Sequence, residues 1–129
     1  MLFESTTLLQ NKSVNNLSLD KQKLITSGRY LLPDWPAPTN VYALTTTRQN
    51  GTSSAAYSSY NLALHVKDKI SDVKKNRQCL SKDLGFNKTP FWLEQVHGIQ
   101  AVGWQKNNAL IKADASFSLE KKQVCVVMT

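Results

Sequence analysis

The chain has 129 residues, 16 Lys+Arg against 9 Asp+Glu, a net charge of +7 and 41% hydrophobic content. This suits one soluble globular domain and excludes a membrane-spanning helix, because no apolar run approaches roughly 20 residues. The N-terminus lacks the basic start and continuous apolar stretch of a secretory signal, and Cys79 and Cys125 form no close-spaced pair, so the expected setting is cytoplasmic and reducing.

Residues 1–30 are rich in Ser, Thr, Asn, Gln and Lys and read as a poorly specified extension, with a short helix from Ser18 to Ile25 capped by Ser18. The three prolines of LLPDWPAP (31–38) mark an entry turn. VYALTTT (41–47) is β-branched and alternating and predicts a strand. RQNGTSSAAYSSY (48–60) is a loop of turn formers, in which Asn50-Gly51 supplies left-handed backbone positions. NLALHV (61–66) alternates, with Leu62, Leu64 and Val66 on one face and Asn61, Ala63 and His65 on the other, and predicts a second strand.

SDVKKNRQCLSKDLGF (71–86) predicts the main helix. Ser71 or Asp72 caps it, Val73, Leu80 and Leu84 form an apolar stripe, and Gly85 stops it. PFWLEQVHG (90–98) and IQAVGWQ (99–105) predict further strands, while ADASFS (113–118) is ambiguous. QVCVVM (123–128) is too apolar for exposure on both faces. A buried strand followed only by Thr129 is expected to belong to a larger unit. The lysines are scattered, with Lys74-Lys75 and Lys121-Lys122 the only adjacent pairs, and no zinc finger or aromatic-basic RNA motif occurs. The charge therefore reads as a solvated surface, and nucleic acid is disfavoured as a partner.

The chemistry-bearing side chains are few. His65 has a polar neighbour four positions back, Asn61, and His97 has one two positions back, Gln95, which a strand would place on the same face. Each histidine is open to two readings, a ligand or catalytic group and a satisfied structural imidazole. Arg48 opens the long loop, where it suits a carboxylate or phosphate but equally an exposed loop position. Asn76 and Arg77 sit mid-helix and read as solvated or helix-bracing. Asp114 suits a ribose, a metal or the fixing of a turn. Cys79 and Cys125 read as packing residues. From the residues alone the result is an α+β domain with a polar cluster of Asn61, His65, Gln95 and His97, plus Arg48.

The combination TTTRQNGTS, YSSYNLALHVKD, the Asn-Arg pair at 76–77, FWLEQVHG and KADASFS…VCVVMT resembles the YfiH-like laccase-domain family over residues 31–129. Asn50-Gly51 stands where the family has Gly-Gly, and Ala63 and Lys67 stand where glycines are usual. The resemblance implies about half of a layered α/β/β/α domain, with a mixed or antiparallel sheet and flanking helices. It implies a family first described as multicopper polyphenol oxidases and better understood as purine nucleoside phosphorylases with adenosine deaminase and methylthioadenosine phosphorylase activity.

It further implies a zinc centre with His97 as one ligand. The other two would be the cysteine of an ADC motif directly after VMT and the histidine of a later HAGWRG motif, both outside this sequence. Arg48 and Asn61 are then candidates for binding phosphate or nucleoside, and His65 and Gln95 for catalytic proton transfer or hydrogen bonding. Alone, the chain is expected to be weakly active or inactive. The expected partners are purine nucleosides and phosphate, with a second-half polypeptide or a further copy of the chain. Copper-dependent phenol oxidation and a non-catalytic interaction module are the alternatives.

Overall fold

In a computed structural model of the chain, the residues described are 6–11, 21–86, 89–105 and 110–128, the first group by its backbone alone. Among them, strand β1 (Thr6–Asn11) precedes helix α1 (Lys21–Thr26), β2 (Tyr30–Leu31) and β3 (Val41–Thr46). A 3-10 turn (Ala55–Tyr57) leads to the long helix α2 (Ile70–Leu84). Five short strands follow: β4 (Leu93–Glu94), β5 (Ala101–Gly103), β6 (Ile111–Lys112), β7 (Ala115–Phe117) and β8 (Val124–Met128).

The largest sheet has the order β2-β3-β1-β8. All its pairings are antiparallel, with Thr7 facing Thr45 on one side and Val127 on the other. Pairs β4-β6 and β5-β7 are parallel. Phe91 forms a parallel bridge to Cys125, and its N–H donates to the Val124 carbonyl at 3.1 Å. The segment before β4 thus runs beside β8 and ties the β4-β6 ladder to the main sheet. The expected α+β class with a mixed sheet holds. Residues 1–30, read from sequence as a poorly specified extension with one short helix, supply the inner strand β1. TTLLQN lacks the strict alternation that would have revealed it.

Helix α2 forms where its stripe predicted. Val73, Leu80 and Leu84 are buried. Leu80 and Leu84 pack in one cluster with Leu44 of β3, with Val124, Val126 and Met128 of β8, and with Tyr30, Tyr60 and Leu62. Gly85 has φ 61° and gives its N–H to the carbonyl of Lys82. The Phe86 N–H closes on Ser81, so the left-handed stop expected of Gly85 is present. The N-terminus differs from expectation. Lys69 is the cap residue, with no side-chain cap bond, and Ser71 and Asp72 lie inside the first turn, where Asp72 complements the helix dipole. The Ser18 cap of the first helix lies outside the described residues, and the helix itself spans Lys21–Thr26.

NLALHV is not a strand. The Asn61 side-chain oxygen accepts the Ala63 N–H at 2.9 Å and bends the chain, and residues 64–68 continue as bends. Leu62 and Ala63 are therefore both buried, while Leu64 and His65 are exposed, which breaks the predicted two-face alternation.

A polar cluster lies against this core. Asp83 of α2 accepts from Arg29 through Nε at 3.0 Å and Nη2 at 2.8 Å, and from the Tyr30 hydroxyl at 2.7 Å. The Tyr30 and Tyr60 hydroxyls are 3.0 Å apart. Burial pushes both phenol pKa values well above their ordinary value. Above pH 10 the unfolded chain ionises both tyrosines and the folded chain does not. Each tyrosine then contributes a stability loss of about 1.4 kcal/mol per pH unit. From these two groups a fall of about 2.8 kcal/mol per pH unit is expected. Urea unfolding at a series of pH values from 9 to 11.5 checks it, and Tyr60→Phe should remove one tyrosine's share.

Candidate functional site

The loop from Arg48 to Asn61 is folded by its own backbone. The carbonyl of Arg48 accepts from the N–H groups of Ser59 at 2.7 Å and Tyr60 at 3.0 Å, and the Arg48 Nε donates to the carbonyl of Ser58 at 2.7 Å. Asn50 has φ 59°, so Asn takes the left-handed position expected of it. Gly51 sits against the returning strand of the loop, where a Cβ would lie 2.2 Å from the Ser59 carbonyl oxygen.

Asn76 organises this loop from below. It is 1% exposed. Its Oδ1 accepts the Thr52 N–H at 2.9 Å, and its Nδ2 donates to Ser53 Oγ at 3.0 Å and to the Asn61 carbonyl at 2.9 Å. The sequence reading as solvated or helix-bracing is corrected here, because the side chain braces the loop and not the helix. A signal was available. Asn76 falls three residues after Val73 and four before Leu80, on the apolar stripe itself, and a polar residue there needs buried partners.

Arg77, its neighbour, is likewise not solvated. Its Nε donates to the Leu62 carbonyl at 2.7 Å, and its guanidinium lies 3.6 Å from the centroid of the Trp92 ring. This one side chain joins the bend carrying Asn61 and His65 to the segment leading to His97.

Asn61 is buried, and its Nδ2 donates to Asp68 at 2.8 Å. Burial raises the Asp68 pKa, but hydrogen bonds from Asn61, Ser53 and the Lys69 N–H outweigh it and hold the carboxyl below its ordinary value. His65 and Arg48 are exposed.

The FWLEQVHG segment is extended only at Leu93–Glu94. His97 has φ 57°, so Gln95 and His97 do not alternate along a continuous strand. The Gln95 carboxamide takes both backbone groups of Met128: Oε1 accepts the N–H, and Nε2 donates to the carbonyl at 2.8 Å. Asp114 accepts the N–H of Val96 and of Gly98, each at 2.9 Å. Of the three readings open for Asp114 in the sequence, the structure displays the fixing of a turn. The imidazole of His97 itself is exposed.

Among the described residues no three His, Cys, Asp or Glu side chains converge as a metal site. His97 offers one suitable donor, and zinc needs about three from protein. The described residues therefore do not make a zinc site by themselves. A separate groove of about 410 Å³, lined by Leu24, Leu32, Trp35, Tyr42 and Leu44 among others, carries none of the predicted site residues. No helix among the described residues is long and apolar enough to cross a membrane.

A mixed sheet covered by α2, with polar loops gathered by Asn76, Arg77 and Asp114, is the partial architecture of a laccase-type domain. The crystal structure of a Neisseria meningitidis protein described as DUF152 is similar, with a TM-score of 0.60 and 38% identity over 70% of this chain and 37% of that one. A family model described as multi-copper polyphenol oxidoreductase laccase matches residues 42–129, and the chain belongs to this family. A purine nucleoside phosphorylase of Haemophilus influenzae is 42% identical over 97 residues, which are 75% of this chain and 40% of the relative. One of Pseudomonas aeruginosa is 43% identical over 100 residues, covering 78% and 40%. The purine nucleoside phosphorylase YfiH of Escherichia coli is 38% identical over 105 residues, covering 79% and 42%. The chain spans about two fifths of the length of these curated relatives.

Proposed function

We propose that this chain supplies the N-terminal part of a zinc-dependent purine nucleoside phosphorylase, with adenosine deaminase and methylthioadenosine phosphorylase as further activities of the same centre. The observation that carries the reading is the identity of about two fifths, over the segment holding Arg48, His65 and His97, to relatives named purine nucleoside phosphorylase. In phosphorolysis, phosphate attacks the ribose C1′ and the purine leaves; in deamination, water attacks the purine C6 and ammonia leaves.

Arg48, His65 and His97 are the candidates whose side chains reach solvent. Arg48 is assigned to the phosphate or ribose, since a guanidinium offers a charged fork of donors. His65 is assigned to proton transfer. His97 is assigned as a metal ligand. Asn61 and Gln95 belong to the site through the backbones they hold. The further zinc donors are assigned to a second polypeptide segment. The grip of Gln95 on Met128 supports this assignment, because it sets the His97 loop beside the end of β8, after which the family resemblance puts the next ligand. Copper-dependent phenol oxidation is the second reading, and the description of the matching family favours it.

The test is hypoxanthine release from inosine and phosphate in the presence of zinc. The purified chain is assayed alone and with a polypeptide matching the remaining three fifths of the Haemophilus relative. The chain alone should be near background and the pair active, and His97→Ala should lower the activity of the pair by about 100-fold or more. An inactive pair that oxidises syringaldazine with copper would establish the second reading instead.

A further inference from the structure

We propose that Asp114 and Gln95 are positioning residues that fix the backbone of His97, and that neither is a metal ligand or a substrate contact. The proposal deepens the functional reading above and rests on it only for what the imidazole does once placed.

The geometry is that of a latch with two anchors. Oδ1 of Asp114 takes the amide of Val96 and Oδ2 takes the amide of Gly98, so both oxygens are engaged on either side of His97. A carboxylate accepting two backbone N–H bonds is held strongly and has one orientation. Gly98 allows the approach, since a Cβ there would lie only 3.1 Å from Asp114 Oδ2. Asp114 is itself fixed. Its N–H donates to the Gln100 carbonyl at 2.9 Å, and the preceding Ala113 is fully buried with its N–H on the Glu94 carbonyl at 3.2 Å.

The loop thus closes on itself through β4, the Asp114 turn and residue 100. On the other side Gln95 engages both polar ends of its carboxamide on Met128. A side chain stands in for the next strand of the sheet at that point.

What the latch holds is a conformation that His97 disfavours on its own. Its φ of 57° is left-handed, a region that non-glycine residues adopt at a cost which the surroundings must offset. Holding an exposed imidazole in one place removes the ordering cost that binding would otherwise meet. Both oxygens of Asp114 are turned onto the amides that flank His97, so Asp114 acts through the loop.

The test uses the ¹⁵N-labelled full chain by NMR, with no nucleoside, phosphate or metal present. In Asp114→Ala, amide exchange at Val96 and Gly98 should rise at least tenfold, and the His97 backbone shifts should lose their left-handed signature. The shifts of His65 should stay as in the parent chain, and the fall in stability read from the urea midpoint should not greatly exceed the latch's own share, about 1.4 kcal/mol for a tenfold change. Asp114→Asn keeps one oxygen acceptor and should fall between the two, a partial rescue that a bulk packing role would not produce. Gln95→Leu should free the Met128 amide while leaving the Val96 and Gly98 amides protected by Asp114.

Unchanged exchange at Val96 and Gly98 in Asp114→Ala would overturn the proposal. So would loss of shift dispersion across the whole molecule in both Asp114 variants, because Asp114 would then be a folding residue. If the latch behaves as stated and the phosphorolysis assay fails, the functional reading alone is lost.

Discussion

Asn76→Asp is expected to destabilise the fold by about 3–5 kcal/mol at neutral pH. The parent carboxamide donates to Ser53 and to the carbonyl of Asn61, and it accepts from the Thr52 backbone. An aspartate keeps the acceptor and replaces the donor by a second acceptor facing oxygen atoms. It also places a charge where the side chain is 1% exposed. Each buried group left without a partner costs about 1–3 kcal/mol, and at least two carbonyl or hydroxyl oxygens lose their donor here. A domain of this size has about 5–15 kcal/mol in total, so the variant removes a large share of it.

The pH dependence gives the mechanism a signature. The buried aspartate has its pKa raised, so acidification toward pH 4 protonates it and restores one O–H donor. The gap between Asn76→Asp and the parent chain should then narrow, while that of Asn76→Leu should not. Urea midpoints at pH 4.5 and pH 7 decide it. A constant gap for Asn76→Asp would mean that volume, and not donor loss, sets the cost.

Gly51→Ala is the second large effect, at about 2–4 kcal/mol. The added methyl would meet the Ser59 carbonyl oxygen at 2.2 Å, the Tyr60 Cα at 2.5 Å and the Ser59 carbonyl carbon at 2.6 Å. All three are backbone atoms and none can rotate away. The loop would have to open, and the hydrogen bond from the Gly51 N–H to Ser59 Oγ at 2.9 Å would be strained with it. Gly103→Ala is the control. Its methyl would touch the Phe117 ring at 3.7 and 3.9 Å, an ordinary contact, so a change under about 1 kcal/mol is expected. Thermal or urea unfolding of both variants distinguishes a close backbone approach from a generic cost of replacing glycine.

Both predictions concern residues whose importance the sequence showed unevenly. The Asn50-Gly51 turn was legible because asparagine and glycine have their own backbone preferences. Its tightest feature was not, because the atom that crowds Gly51 belongs to residue 59. Asn76 was misread although it interrupts the Val73, Leu80 and Leu84 stripe. A polar residue on an apolar face tells of buried partners without saying which.

The candidate site divides in the same way. His97, Arg48 and His65 stood out by residue type and motif, and all three side chains reach solvent. Asn61 and Gln95 stood out too, but their amides hold backbone. Asp114 and Arg77 join segments that sequence order keeps apart.

By itself the sequence determined helix α2, its glycine stop, strands β3 and β8, the mixed α+β class and the family resemblance. These rest on short-range signals: apolar spacing, the left-handed tolerance of glycine and asparagine, and contiguous motifs. Only the tertiary structure decided that β1 lies between β3 and β8, that NLALHV bends instead of extending, and that His97 is held in a left-handed turn. Each of these depends on a hydrogen bond or strand pairing whose value appears only when its partner arrives. For the His97 loop those partners are Asp114 and Met128, contributed by distant parts of the chain.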